Sequence, residues 1–152
     1  MISVLFICLG NICRSVTAEE VFRTLVKRAG REKEFCIDSA GLIDYHEGEL
    51  ADDRMRQHAS QHGYQLTHRS RPVRPADFDK FDLIVAMDNN NVKGLKKVAP
   101  NSAAAQKIVL MADYFTAHSH TYVPDPYYGE AEDFELVIEL LEDACQGLLD
   151  QL

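Results

Sequence analysis

Residues 2–7, Ile2-Ser3-Val4-Leu5-Phe6-Ile7, run straight into Cys8-Leu9-Gly10-Asn11-Ile12-Cys13-Arg14-Ser15. The first stretch is short and almost wholly apolar, which suits a strand covered on both faces. From Val16 onward, Ala18, Val21, Phe22, Leu25, Val26 and Ala29 fall at helical spacing, and Gly30 is placed to end the helix. Residues 8–15 are therefore a loop carrying the chain from a buried strand into an amphipathic helix.

The same alternation continues outward. Residues 35–39 read as a second strand, and residues 50–62 as a weaker helix closed by Gly63. Residues 81–87 read as a third strand, residues 91–99 as a short helix stopped by Pro100, and residues 107–111 as a fourth strand. Phe134, Val137, Ile138, Leu141, Ala144, Cys145 and Leu148 recur at the three- and four-residue steps of one buried helical face. Strands alternating with helices specify an α/β fold, a parallel sheet with helices on both faces. Ligands of such sheets bind beyond the carboxyl ends of strands, where the strand order reverses. The loop at residues 8–15 is placed for that.

A chain of 152 residues suits one domain, residues 1–152, with a real core. A formal net charge of -8 argues against nucleic acid as a partner, because duplex binding depends on Lys and Arg neutralising phosphates. An anionic substrate would have to be drawn by a local arrangement. No leader pattern and no apolar run long enough to span a bilayer is visible, so the expectation is a cytoplasmic monomer with no membrane partner. Four cysteines, Cys8, Cys13, Cys36 and Cys145, are too few for a secreted disulfide scaffold and are expected as free thiols. Cys36 and Cys145 read as core residues.

A strand-to-helix loop offers free backbone N–H groups at the positive end of a helix dipole, an anion site by construction. Gly10 and Asn11 tolerate the left-handed geometry of a tightly curled loop. Those donors would stabilise a thiolate at Cys8, and the Ser15 hydroxyl could donate to the same sulfur. Arg14 adds a planar fork that matches two phosphoryl oxygens. Thiolate, N–H donors and guanidinium together suit in-line attack on a phosphate monoester, through a covalent phosphocysteine. The bare Cys-x5-Arg spacing is weak, and its position between strand and helix sharpens it. Asp125, between Pro124 and Pro126, is by itself a turn residue on a stiff loop.

Cys8 to Ser15 followed by Ala18-Glu19 resembles the signature of the low-molecular-weight protein tyrosine phosphatases. The likeness extends through Asp38-Ser39-Ala40, residues 66–71 with His68, Asp77-Phe78, Phe81-Asp82, Met87-Asp88 and Asp125-Pro-Tyr-Tyr-Gly129. This resemblance implies a flavodoxin-like, four-stranded parallel sheet of order 2-1-3-4, no metal or other cofactor, and phosphotyrosine proteins as substrates. It makes Cys8 the nucleophile, Arg14 the phosphate clamp and Asp125 the general acid and base. Leu9, Gly10, Asn11, Ile12, Cys13 and Ser15 would complete the phosphate loop, with Ser39 and His68 bracing it. Tyr45, Tyr127 and Tyr128 would wall an aryl slot. Cys13 would be able to form a disulfide with Cys8 under oxidation. Val16 stands where the family often has proline, a change the first helical turn tolerates, and residues 41–48 are less typical of the family.

Rival readings are an arsenate reductase of the same fold and a non-catalytic oxyanion-binding or redox-sensing module. The first needs relay cysteines in a mid-chain segment, and residues 82–99 contain none. The second would lack the acid or the nucleophile. Neither Gly-x4-Gly-Lys-Ser/Thr nor Gly-x-Gly-x2-Gly follows the first strand, so a nucleotide loop is not indicated. His58 and His62 are four apart on a helix, but no Glu or Cys accompanies them in sequence, and they read as two exposed histidines.

Overall fold

A computed structural model describes residues 1–152. Four parallel strands form one sheet: β1 (Ile2–Cys8), β2 (Phe35–Gly41), β3 (Leu83–Ala86) and β4 (Ile108–Leu110), in the order β2-β1-β3-β4. Six helices connect and flank them: α1 (Arg14–Arg28), α2 (Asp53–Gln61), α3 (Asp77–Lys80), α4 (Asn89–Val98), α5 (Ser102–Ala105) and α6 (Ala131–Gln151). The α/β class and the strand order match the sequence expectation.

The strand period of two divides the core. Val4, Phe6 and Cys8 of β1 join Val85 and Met87 under α1 and α6, with Val21, Phe22, Phe134, Val137 and Ile138. Leu5 and Ile7 point the other way with Ile84 and Ala86, beneath Phe78, Phe81, Leu95 and Ala104 of the α3–α5 side. Val4 to Ile7 are therefore wholly buried. The continuous apolar reading of residues 2–7 is the signature of this two-sided burial.

Boundaries shift where backbone chemistry overrides apolar spacing. Helix α1 begins at Arg14 rather than Val16, so Arg14 and Ser15 lie in its first turn. Helix α2 is shorter than residues 50–62 because Asp52 caps it, accepting from Arg54 N and Met55 N. It ends in a Schellman motif: Gly63 has φ 88°, its N–H reaches Ser60 O, and Tyr64 N reaches Ala59 O. Residues 81 and 82 precede β3, since Phe81 closes the four-residue helix α3. Cys145 is fully buried, but Cys36 is only half-buried, because β2 is an edge strand.

Strand β1 pairs with β2 on one side and β3 on the other. The chain leaves β1 toward β2 and crosses back to reach β3, so the order reverses at the carboxyl end of β1. Cys8 is the last residue of that strand.

Candidate active site

The loop after β1 curls tightly. Asn11 has φ 57°, the left-handed region, and it is the only non-glycine residue to do so. Gly10 does not share that geometry, contrary to the sequence expectation for the pair. Gly41, which the sequence reading did not single out, is needed here. A Cβ on it would lie 2.9 Å from Leu9 O and 3.1 Å from Asn11 N, so β2 and the loop approach backbone to backbone.

The backbone N–H groups of residues 9–15 donate to no acceptor within the protein. Helix α1 has no side-chain cap at Cys13. These free donors and the helix N-terminus converge on the end of β1 and make an anion site.

Cys8 is 3% exposed, and its Sγ lies 3.0 Å from Ser15 Oγ. Ser15 Oγ accepts from Asn11 Nδ2 at 2.7 Å, which leaves the Ser15 hydroxyl hydrogen for the sulfur. Asn11 Nδ2 also donates to Ser39 Oγ at 3.1 Å. Asn11 Oδ1 accepts from His68 Nε2 at 3.0 Å and Arg71 N at 3.1 Å. Arg71 N is an obligate donor, so it fixes which way the amide points. Ser39 and His68 thus brace the loop through Asn11.

Behind this brace stand two residues to which the sequence reading gave no role. Glu19 is buried, and its Oε1 accepts from Ser39 Oγ at 2.6 Å. His68 Nδ1 lies 3.2 Å from Glu19 Oε1 and 3.4 Å from Asp38 Oδ1. Glu19, Asp38 and His68 could bring three ligand atoms to one cation. However, Arg23 already pairs with Glu19, and Arg71 with Asp38, so the positive charge there is supplied by the protein. The cluster is a hydrogen-bonded brace.

Arg14 is buried, and its Nη1 donates to Asp88 Oδ2 at 2.7 Å and Val123 O at 2.9 Å. Burial works against its charge, but Cys8, Asp88 and Asp125 outweigh that and raise the guanidinium above the ordinary arginine value. Asp125 is partly exposed, with Oδ2 3.6 Å from Arg14 Nη2. Its Oδ1 accepts from Tyr127 N at 3.1 Å, and Val123 N donates to Met87 O at 2.9 Å. The Asp125 loop is thereby tied to the end of β3 and to Arg14.

These groups share one cleft of about 360 Å³, lined by Cys8 to Gly10, Ile12 to Arg14, Asp125, Tyr45, Tyr127 and Tyr128. Ile43 and His46, from the less typical segment, also line it and were missed in the sequence reading. Tyr127 and Tyr128 meet edge to face at 4.9 Å. Arg54 donates to Tyr127 O at 2.9 Å and lies over the Tyr127 ring. Tyr45 and Tyr128 are largely exposed and stand at the rim. Burial, and next the proximity of Cys8, pushes the Cys13 thiol far above its ordinary value.

The family model described as low molecular weight phosphotyrosine protein phosphatase matches residues 3–152. The low molecular weight protein-tyrosine-phosphatase of Streptomyces coelicolor is 43% identical over 148 residues, covering 96% of this chain and 90% of that one. The Saccharomyces cerevisiae low molecular weight phosphotyrosine protein phosphatase is 42% identical over 137 residues, covering 88% and 84%. A crystal structure of a protein tyrosine phosphatase from Entamoeba histolytica, with Hepes in its active site, superposes with TM-score 0.96 at 45% identity, covering 99% and 96%. Vibrio vulnificus Wzb in complex with benzylphosphonate superposes with TM-score 0.85 at 27% identity, covering 99% of each chain. With matching strand order and a loop of free N–H donors after β1, the chain belongs to the low molecular weight phosphotyrosine protein phosphatase family.

Proposed function

We propose that this chain hydrolyses phosphotyrosine in proteins, and small aryl phosphates, through a phosphocysteine on Cys8. The observation that carries this reading is the convergence of Cys8 Sγ, the unpaired N–H groups of residues 9–15, Arg14 and Asp125 on one cleft.

In the first step Cys8 Sγ attacks phosphorus in line, and the bond from phosphorus to the phenolic oxygen breaks. The loop N–H groups and Arg14 hold the equatorial oxygens as charge develops on them. Asp125 gives its proton to the leaving phenolate. The Ser15 hydroxyl stabilises the sulfur. In the second step water attacks phosphorus, its proton passes to Asp125, the S–P bond breaks, and inorganic phosphate leaves.

The aromatic rim supports an aryl substrate, since Tyr127, Tyr128 and Tyr45 offer ring faces on which a phenyl group can stack. Benzylphosphonate bound to a neighbour of the same fold is consistent with that choice. Arsenate reduction is disfavoured, because the segment around α4 carries no relay cysteine and Cys145 is sealed in the core.

The test is hydrolysis of an aryl phosphate at mildly acidic pH with EDTA present, comparing wild type with Cys8→Ser. The expected result is activity that survives EDTA and is abolished in the variant, with phosphate binding largely intact. An inactive reduced wild type would overturn the reading.

A further inference from the structure

Helix α2 joins the body of the fold to the mouth of the cleft. Its second half is seated on α6. His58 stacks on Phe134 at 5.6 Å, with the planes 7° apart. Glu135 of α6 reaches both histidines: His58 Nδ1 lies 3.3 Å from its Oε2, and His62 Nε2 lies 3.0 Å from its Oε1. The expectation of two exposed histidines without an acidic companion is corrected. His58 is partly buried, and these contacts are imidazole–carboxylate hydrogen bonds between two helices.

The first turn of α2 reaches two walls of the cleft. Asp52 N donates to Ile12 O at 2.9 Å, in the loop after β1. The Asp52 carboxylate caps α2 and accepts from Arg54 Nε at 3.2 Å and Nη2 at 3.0 Å. Arg54 Nη2 donates in turn to Tyr127 O at 2.9 Å. Its guanidinium carbon lies 5.5 Å from the centroid of the Tyr127 ring and 4.8 Å from that of Phe134. A planar fork of donors suits this combined task, and the point charge of a lysine does not. Tyr127 is thus held by both its backbone polar groups, the carbonyl by Arg54 and the N–H by Asp125 Oδ1. The other bond made by this segment, Gly129 N to Pro126 O at 2.8 Å, stays inside it. The bond from Arg54 is the one hydrogen bond that ties residues 124–129 to another element.

We infer that Arg54 is a positioning residue for the reaction: by holding Tyr127 it fixes the direction of the Asp125 carboxyl, which rests on Asp125 being the acid proposed above. Arg54 does not line the cleft, so it acts through Tyr127 and not on substrate. Tyr127 N occupies Oδ1 of Asp125 as an acceptor. The proton therefore belongs on Oδ2, the oxygen 3.6 Å from Arg14 Nη2. Without Arg54, Tyr127 loses its one tie to the fold, Oδ1 loses a fixed donor, and Oδ2 loses its aim at the leaving oxygen.

The test is kcat/KM for two phenyl phosphates that differ in phenol acidity, with wild type, Arg54→Met, Asp125→Asn and the double variant. Methionine keeps an unbranched stem against Phe134 and leaves the Asp52 cap on the backbone of residue 54, so the thermal midpoint should stay close to wild type. The readout is the ratio of kcat/KM for the good leaving group to that for the poor one, which cancels changes in ring binding. Arg54→Met should raise this ratio about 10-fold, the weight of one hydrogen bond from a charged group. In the Asp125→Asn background it should leave the ratio unchanged, because the two residues act in one chain. A residue that merely supports α2 would lower both substrates alike and leave the ratio where it was. If Asp125→Asn raises the ratio and Arg54→Met does not, or if the two effects multiply in full, the inference about Arg54 is overturned and the acid assignment stands. If Asp125→Asn itself leaves the ratio unchanged, the acid assignment fails and the role of Arg54 fails with it.

Discussion

Arg14 Nη1 donates to Asp88 Oδ2 at 2.7 Å, and Asp88 Oδ1 caps α4 by accepting from Asn91 N at 2.8 Å. One carboxylate therefore orients Arg14, the proposed phosphate clamp, and starts a helix. The two jobs separate by substitution. Asp88→Asn keeps the cap but loses the charge, so kcat/KM should fall by about 10-fold, the weight of one charge-assisted hydrogen bond, with the thermal midpoint little changed. Asp88→Ala should add about 1 kcal/mol of destabilisation from the lost cap. Denaturant titration beside steady-state kinetics checks both. An Asp88→Asn enzyme of full activity would show that Val123 O alone orients Arg14.

Asp125 faces the cleft from a loop held at both ends, by Val123 on Met87 and by Tyr127 N on its own carboxylate. If it protonates the leaving group, Asp125→Asn should lower turnover on the order of 100-fold or more for poor leaving groups, and much less for good ones. A series of aryl phosphates of graded phenol acidity measures the slope. Parallel losses across the series would mean that Asp125 is not the acid.

Asn11 holds the loop by four side-chain hydrogen bonds while its backbone sits at φ 57°. Asn11→Ala removes the bonds and also places a Cβ-bearing residue without local polar support in the left-handed region, at about 1–2 kcal/mol. Asn11→Gly removes the bonds but relieves the backbone. Both should lose kcat/KM, and the glycine variant should melt higher than the alanine one. A glycine variant with wild-type kinetics would show that backbone shape alone forms the anion loop.

The sheet, its two-sided burial and the donor-rich loop from β1 into α1 were legible because each rests on local signals: an apolar run, a helical period, and the residues between them. The support around the loop was not. Glu19, Asp88 and Gly41 act through partners that the strand crossings bring near, Ser39, Arg14 and Leu9 respectively. Gly41 shows the limit most clearly. Its φ is ordinary, and only the approach of the Leu9 carbonyl demands a residue without Cβ. The His58–His62 pair was visible, but its acid lies on α6. Helices α3 and α5, of four residues each, carry too little periodicity to be read.

The loop that leads toward Asp125 is anchored by the His118–Asp143 pair, and its pH response follows from geometry. Asp143 accepts from Thr116 N, Thr116 Oγ1, Ala117 N, His118 N and His118 Nδ1, the last at 2.7 Å. Burial opposes the charge on Asp143, but His118 and the loop donors outweigh it and hold the carboxyl well below the usual aspartate range. The hydrogen bond to Asp143 raises His118 above the ordinary histidine value, with Glu139 adding to it. A depressed carboxyl contributes stability that is present above its unfolded value and lost as pH falls toward the folded one. A raised histidine contributes stability that is full below its unfolded value and lost as pH rises through the folded one. Both contributions act together between about pH 4 and pH 6.5. The difference in thermal midpoint between wild type and His118→Gln should therefore be largest in that window and shrink as pH rises beyond it. Asp143→Ala, which strips the acceptor from five donors, should cost about 1–3 kcal/mol. A His118→Gln difference that stays level from pH 5 to pH 9 would show that the imidazole acts as a neutral hydrogen-bond donor and carries no charge in this pair.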